Sequence, residues 1–230
     1  MRDSNSIHHN NRRQILNMFL AHKNKFRIAL DIPQEDLDDI ILKCGNTLEL
    51  GLGDGRMNLV LFFYACEYYY NSESYGLLAD DLLSDIYEDV GQYSKLDLSG
   101  LYGVGCGIEF LIQFGIVQGD TDVILAELDM KTVEQIPFII INSDLLFKYE
   151  GYILYIMCRL IAPRKENNDF YPFGKCYLEE IKKVIQQINF KDKENIFTLF
   201  VKYMDGINIK FNWNEVLLKS FLMNKYQISV

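Results

Sequence analysis

Ser99-Gly100-Leu101-Tyr102-Gly103-Val104-Gly105-Cys106-Gly107-Ile108 is the stretch on which the reading of this chain turns. Its glycines crowd in just ahead of a mostly apolar segment, Ile108 to Val117, with helical character. Glycine permits positive φ and close backbone approach, so the cluster marks a place where the chain dives between converging helices. A glycine-rich loop ahead of a helix can also cradle phosphate. Here no Gly-Lys-Ser/Thr follows, and Tyr93 to Ser99 is polar where a dinucleotide fold needs an apolar strand. Close packing is the preferred reading, with an anion site as its alternative.

Working outward, the same kind of opening occurs twice more. Gly51-Leu52-Gly53-Asp54-Gly55-Arg56-Met57-Asn58-Leu59 precedes the apolar run to Tyr70, and Asp144-Leu145-Leu146-Phe147-Lys148-Tyr149-Glu150-Gly151-Tyr152 precedes another to Leu160. The three openings begin 49 and 44 residues apart. A period in that range marks helix hairpins stacked as an α-solenoid or closed as an α/α toroid. Gly51, Gly55, Gly100, Gly103, Gly107 and Gly151 are the expected structural glycines. Each apolar helix is followed by an amphipathic one. After Arg56–Tyr70 comes Tyr75–Gly91, with Leu78, Leu82, Ile86 and Val90 on one face and Asp80, Asp81, Asp85, Glu88 and Asp89 toward water. After Ile108–Val117 comes Val123–Met130, and after Tyr152–Leu160 comes Cys176–Ile188. Helices near 14–27, 33–43, 194–203 and 214–223 complete the chain, and 137–141 and 206–211 are candidate short strands. The expectation is one all-α domain over residues 1–230, a partial α/α toroid of inner and outer helices, with residues 1–12 as a mobile tail.

Composition narrows the function. Among 230 residues, 49% are apolar, enough for a sizeable core. The formal charge of −9 opposes nucleic-acid binding, which rests on a clustered basic surface. Arg12, Arg13, Lys23, Lys25 and Arg27 form the dense basic run, read as the solvated face of a first helix, with an acidic partner as the alternative. Cys44, Cys66, Cys106, Cys158 and Cys176 are odd in number and widely spread, the pattern of free thiols in a reducing compartment. With no apolar N-terminal stretch and no run long enough to span a bilayer, the expectation is a cytoplasmic protein without membrane partners.

The recurring Gly-Leu-x-x-Gly-x-x-Gly ahead of an inner helix resembles the lanthionine synthetase C-like family, over Leu48–Tyr70, Leu98–Phe114 and Asp144–Leu160. Ser99 to Ile108 matches best, and Lys148 stands where the third repeat usually has glycine. The resemblance implies an α/α toroid and a place in ribosomal peptide (lanthipeptide) modification. Cyclases of that family hold zinc through two cysteines and a histidine, in Trp-Cys-x-Gly and Cys-His-Gly motifs, and use a further histidine as acid/base. Zinc lowers the pKa of a substrate thiol, and the thiolate adds to a dehydrated Ser or Thr. None of these motifs is present: Trp213 lies between Asn212 and Asn214, and His8, His9 and His22 all precede the repeats. The expectation is therefore no metal, no cofactor and no zinc-dependent cyclase.

Other groups remain as candidates. Glu109 sits in an inner helix, where an unpaired carboxylate is costly, and Glu150 lies at the mouth of another. With Tyr102 and Tyr149 they form the expected lumen rim, suited to a cationic group of a peptide, with capping or core packing as the plain alternatives. The functional expectation is a peptide-binding protein or an accessory to peptide modification. A metal-independent enzyme using Glu109 or Glu150 as acid/base and a helical-repeat interaction scaffold are the alternatives. Three or four repeats leave a ring incomplete, so a second copy, a partner chain or the last two helices must cover the open side, and a dimer or heteromer is expected.

Overall fold

A computed structural model describes residues 40–42, 47–135, 146–162, 171–187, 195–207 and 209. The expectations for the N-terminal tail, the 14–27 and 214–223 helices, the three histidines, Cys44 and the 137–141 strand lie outside these residues. So does most of the 33–43 helix, of which Ile40 is buried in the core. Every regular element among the described residues is α-helical: α1 (Arg56–Tyr70), α2 (Glu73–Val90), α3 (Leu101–Gln113), α4 (Thr121–Ile124), α5 (Ala126–Glu134), α6 (Leu146–Ile161), α7 (Lys175–Gln187) and α8 (Ile196–Met204). Of the candidate strand at 206–211, only Gly206, Ile207 and Ile209 are described, and none lies in a strand. No helix of the described residues is long and apolar enough to cross a membrane.

Helix α1 is apolar nearly all round and accordingly buried from Met57 to Tyr64 and at Cys66. Asn71 ends it in the left-handed conformation at φ 52° and donates its amide to Glu67 O, a C-terminal cap that asparagine tolerates. Helix α2 packs back on it through Leu82 and Ile86 of the expected stripe, joined by Ala79, while Leu78 and Val90 are half-buried. Phe63 stacks on Tyr75 with centroids 6.3 Å apart, Tyr64 donates to Asp80, and Arg56 pairs with Asp89.

The second helix differs from its expectation in an informative way. It starts at Leu101, not Ile108, so Gly103, Gly105 and Gly107 lie inside its first two turns. A glycine in a helix interior costs about 1 kcal/mol relative to alanine, which is why the cluster reads as a loop. Close packing offsets that cost. A methyl group on Gly105 would strike the Tyr155 ring of α6, and one on Gly107 would strike the Met57 side chain of α1. The amphipathic segment after α3 is likewise split. Asp120 caps α4 by accepting from the Asp122 amide at 3.0 Å, and a new helix begins after Leu125.

Helices α1, α3 and α6 run parallel and side by side. Gly107 meets Met57, Tyr102 meets Tyr152, Gly105 meets Tyr155 and Glu109 meets Arg159, a constant separation of 50 residues along the chain. Helix α8 continues the row against α6, with the Tyr203 hydroxyl donating to Leu160 O at 3.3 Å. Helix α7 packs on α8, and Lys182 reaches Asp205 at 2.7 Å. Asn195 caps α8 by accepting from the Thr198 amide at 2.9 Å.

Candidate functional site

The glycine openings are joints between repeats. The Gly51 amide donates to Ser99 O at 2.8 Å and the Leu52 amide to Leu98 O at 2.9 Å, so the two openings are stitched main chain to main chain. A methyl on Gly51 would meet Leu98 O at 2.5 Å, and one on Gly103 would overlap Leu98 O and the Leu52 amide. Gly55 folds onto Gly51, and Gly100 onto the Lys95 carbonyl. A methyl on Gly151 would meet the Leu98 amide nitrogen at 2.5 Å, so this glycine does for the segment ahead of α3 what Gly103 does for the segment ahead of α1. The helix-start amides are also spoken for: Arg56 N donates to Glu49 O, Met57 N to Leu50 O, Leu101 N to Lys95 O and Val104 N to Gly100 O. An anion would have to displace these bonds, which favours the packing reading of the glycines.

The chemistry-bearing groups converge one layer deeper, on the seam between α3, α5 and α6. Arg159 of α6 is fully buried, with 0% of its side chain exposed. Its Nη1 donates to Glu109 Oε2 at 2.7 Å, Nη2 to Asp129 Oδ2 at 2.6 Å and Nε to Asp129 Oδ1 at 3.0 Å. Nη2 also reaches Asp122 Oδ1 at 3.0 Å. The planar guanidinium thus holds Asp129 bidentately and three carboxylates in all. Tyr155 donates to Asp129 Oδ1 at 2.6 Å, and Gln113 Nε2 to Glu109 Oε1 at 3.1 Å. Burial alone would lower the guanidinium's affinity for its proton. The hydrogen bonds it donates to Asp129 and Glu109, with their negative charge, outweigh that and hold the Arg159 pKa above its ordinary value.

A tyrosine cluster continues the seam toward α7. Tyr102 lies between Tyr152 and Tyr155, with ring centroids at 5.8 and 5.4 Å. The Tyr152 and Tyr177 hydroxyls are hydrogen-bonded to each other, and Tyr177 donates to Thr132 O at 2.7 Å. Burial pushes the Tyr102, Tyr152 and Tyr155 phenols up, and Tyr177 up to about 12, so all four stay protonated near neutrality. The buried Tyr102 hydroxyl lies beside Thr132 but has no partner in hydrogen-bond geometry, because the Thr132 hydroxyl donates to Leu128 O at 2.6 Å instead. Tyr102→Phe is accordingly expected to change the unfolding free energy by less than about 0.5 kcal/mol, or to stabilise. Tyr155→Phe, which strips a donor from Asp129, is expected to cost about 1.5–3 kcal/mol. Paired urea titrations check both, and a Tyr102→Phe loss as large as that of Tyr155→Phe would show that the Tyr102 hydroxyl has a partner after all.

The four expected rim residues do not form one surface. Glu109 is 1% and Tyr102 2% exposed, both inside the seam, whereas Tyr149 is half-buried and Glu150 exposed. Glu109 already has its cation in Arg159, so its carboxylate does not face an open lumen. Arg159, Asp129 and Asp122 were not among the residues that sequence reasoning singled out. The signal was there for Arg159, the one charge in the apolar run Tyr152 to Leu160. Cys66, Cys106 and Cys158 are buried free thiols, and Cys176 is exposed. Burial pushes the Cys66 thiol up to about 12, the opposite of what a nucleophile needs. Among the described residues, no group of three or more His, Cys, Asp and Glu is arranged to hold a metal ion.

No protein-family model matches the chain, and no curated protein and no solved structure matches it.

Proposed function

We propose that the chain is a lanthionine synthetase C-like protein of α/α-toroid type, which binds a peptide or assists a peptide-modifying enzyme without zinc-dependent cyclisation. The observation that carries this reading is the row of α1, α3 and α6 in constant 50-residue register, with the openings of α1 and α3 bonded main chain to main chain and Gly151 of α6 set against Leu98. The interior supports binding over catalysis. Among the described residues, the one buried guanidinium is consumed by carboxylates, and Cys66, Cys106 and Cys158 are buried. Glu109, the acid/base of a metal-independent enzyme, is held by Arg159 away from solvent, which weighs against that alternative. Free thiols suit a reducing compartment, so the proposal places the protein in the cytoplasm.

The test is a binding assay of the purified chain with peptides encoded beside its gene. Saturable binding is expected, together with sub-stoichiometric zinc in metal analysis. Absence of binding above background would leave the chain as a helical-repeat scaffold, and stoichiometric zinc would overturn the non-cyclase part. A second copy or a partner chain is proposed to cover the open side of the row, and a monodisperse monomer in light scattering would count against that.

A further inference from the structure

Two of the buried free thiols belong to the seam between α3 and α6. Cys106 stands on α3 and Cys158 on α6, and each is 0% exposed. Two contacts bracket them. On one side Tyr102 stacks on Tyr155 with centroids 5.4 Å apart, and on the other Glu109 accepts from Arg159 at 2.7 Å. Cys106 lies between Tyr102 and Glu109 on α3, at the i, i+4, i+7 spacing that puts all three on one face. Cys158 lies between Tyr155 and Arg159 on α6. The Cys158 thiol is accordingly within hydrogen-bonding reach of Cys106.

The backbones are close enough for a bond between the sulfurs. Gly105 lets α3 approach α6 so closely that a methyl there would lie 2.4 Å from the Tyr155 ring. The two cysteines are two residues off the register of the row, an offset of about 3 Å along parallel axes. Disulfides span Cα separations of about 4.4–6.8 Å, which accommodates that offset. Cys66 on α1 is ten residues out of register with Cys106, about 15 Å further along the row. Cys176 on α7 is exposed.

We propose that Cys106 and Cys158 are an oxidisable dithiol, which a peroxide closes to a disulfide that ties α3 to α6. One sulfur, as its thiolate, takes an oxygen from hydrogen peroxide. The O–O bond breaks, and the leaving hydroxide takes up a proton and becomes water. The second thiolate attacks the sulfenic acid so formed. The S–S bond forms, the S–O bond breaks, and the oxygen leaves as a second water. The two sulfurs give up two electrons, the peroxide accepts them, and the two thiol protons end in the two waters. Complete burial selects the oxidant, because hydrogen peroxide is little larger than water, whereas glutathione disulfide cannot reach a sulfur with no exposed surface. Burial also holds the Cys158 thiol protonated near neutrality, so closure is slow, and in a reducing compartment the dithiol is the resting form. None of this depends on the peptide-binding reading.

The test treats the full chain with hydrogen peroxide, alkylates the remaining thiols after denaturation, and maps unreduced peptides by mass spectrometry. A Cys106–Cys158 cross-linked peptide is expected, absent before treatment and removed by dithiothreitol. Glutathione disulfide in place of peroxide is expected to modify Cys176 and to leave Cys106 and Cys158 as thiols. The closed form is expected to melt about 5 °C or more above the reduced form, because the bond closes a long loop. Cys106→Ala and Cys158→Ala, with folding checked by circular dichroism, are expected to lose both the link and the shift in melting. Cys106 and Cys158 still unlinked at about ten times the exposure that oxidises Cys176 fully would overturn the proposal and leave them as small packing side chains. A link from either to a different cysteine would overturn it as well. Glutathione attached to either would overturn the selection of a small oxidant, and an unchanged melting temperature would overturn the tie between the helices.

Discussion

Arg159→Leu lowers the unfolding free energy by about 3–5 kcal/mol, the cost of removing one partner from a buried ion cluster. Arg159 is the cation that answers Glu109 and Asp129, which are 1% and 6% exposed. Without it, two carboxylates are left in a low-dielectric seam with only Gln113 and Tyr155 donating to them. Asp122 suffers less, because 36% of its side chain is exposed. Most domains are stable by about 5–15 kcal/mol, so the substitution takes a large fraction of the total. Lysine at this position keeps the charge but cannot hold Asp129 bidentately while reaching Glu109, and it is expected to recover part of the loss. Urea denaturation of the parent, Arg159→Leu and Arg159→Lys measures the series. A leucine variant within about 1 kcal/mol of the parent would show that the seam gains nothing from the ion cluster.

Gly103→Ala reverses the sign of an ordinary helix substitution. Alanine for glycine inside a helix normally stabilises by about 1 kcal/mol. Here the added methyl overlaps Leu98 O and the Leu52 amide, which are backbone atoms that cannot swing aside. They also take part in the bond between Leu52 N and Leu98 O that joins the two openings. Forcing them apart is expected to cost about 2–3 kcal/mol net. Gly91 is the control. It ends α2 at φ −66° with nothing within 4 Å of a built methyl, so Gly91→Ala is expected to be neutral or to stabilise by up to about 1 kcal/mol. Thermal melts of the two variants side by side decide the matter, and a Gly103→Ala protein as stable as Gly91→Ala would remove the joint.

The elements that the sequence made plain are those whose own residues decide them. Helix α1 was readable end to end because an apolar run from Met57 to Cys66 sits between Gly55 and Asn71, and α2 because its buried stripe recurs every turn. The start of α3 was not readable. Gly103, Gly105 and Gly107 argue locally against a helix, and only contacts with α1 and α6 reverse that argument. Glu109 was visible as an anomalous acid in an apolar helix, but its partner was not. Arg159 lies 50 residues away, and pairing across parallel helices leaves no i, i+4 trace. The rim reading failed for Glu109 and Tyr102 for the same reason. Periodicity assigns a side chain to a face of its helix, but which neighbour covers that face is a property of the assembled row.

The stitch from Gly51 and Leu52 to Leu98 and Ser99 is made of peptide groups. An amino-acid replacement cannot delete a carbonyl, and it deletes an amide hydrogen only by introducing proline. Lineages can therefore exchange almost every side chain around this seam and keep it, provided the residues that let the strands of backbone touch stay bare. Kinship among such proteins would survive as a spacing of hydrogen atoms where other residues carry carbon, long after similarity elsewhere had faded.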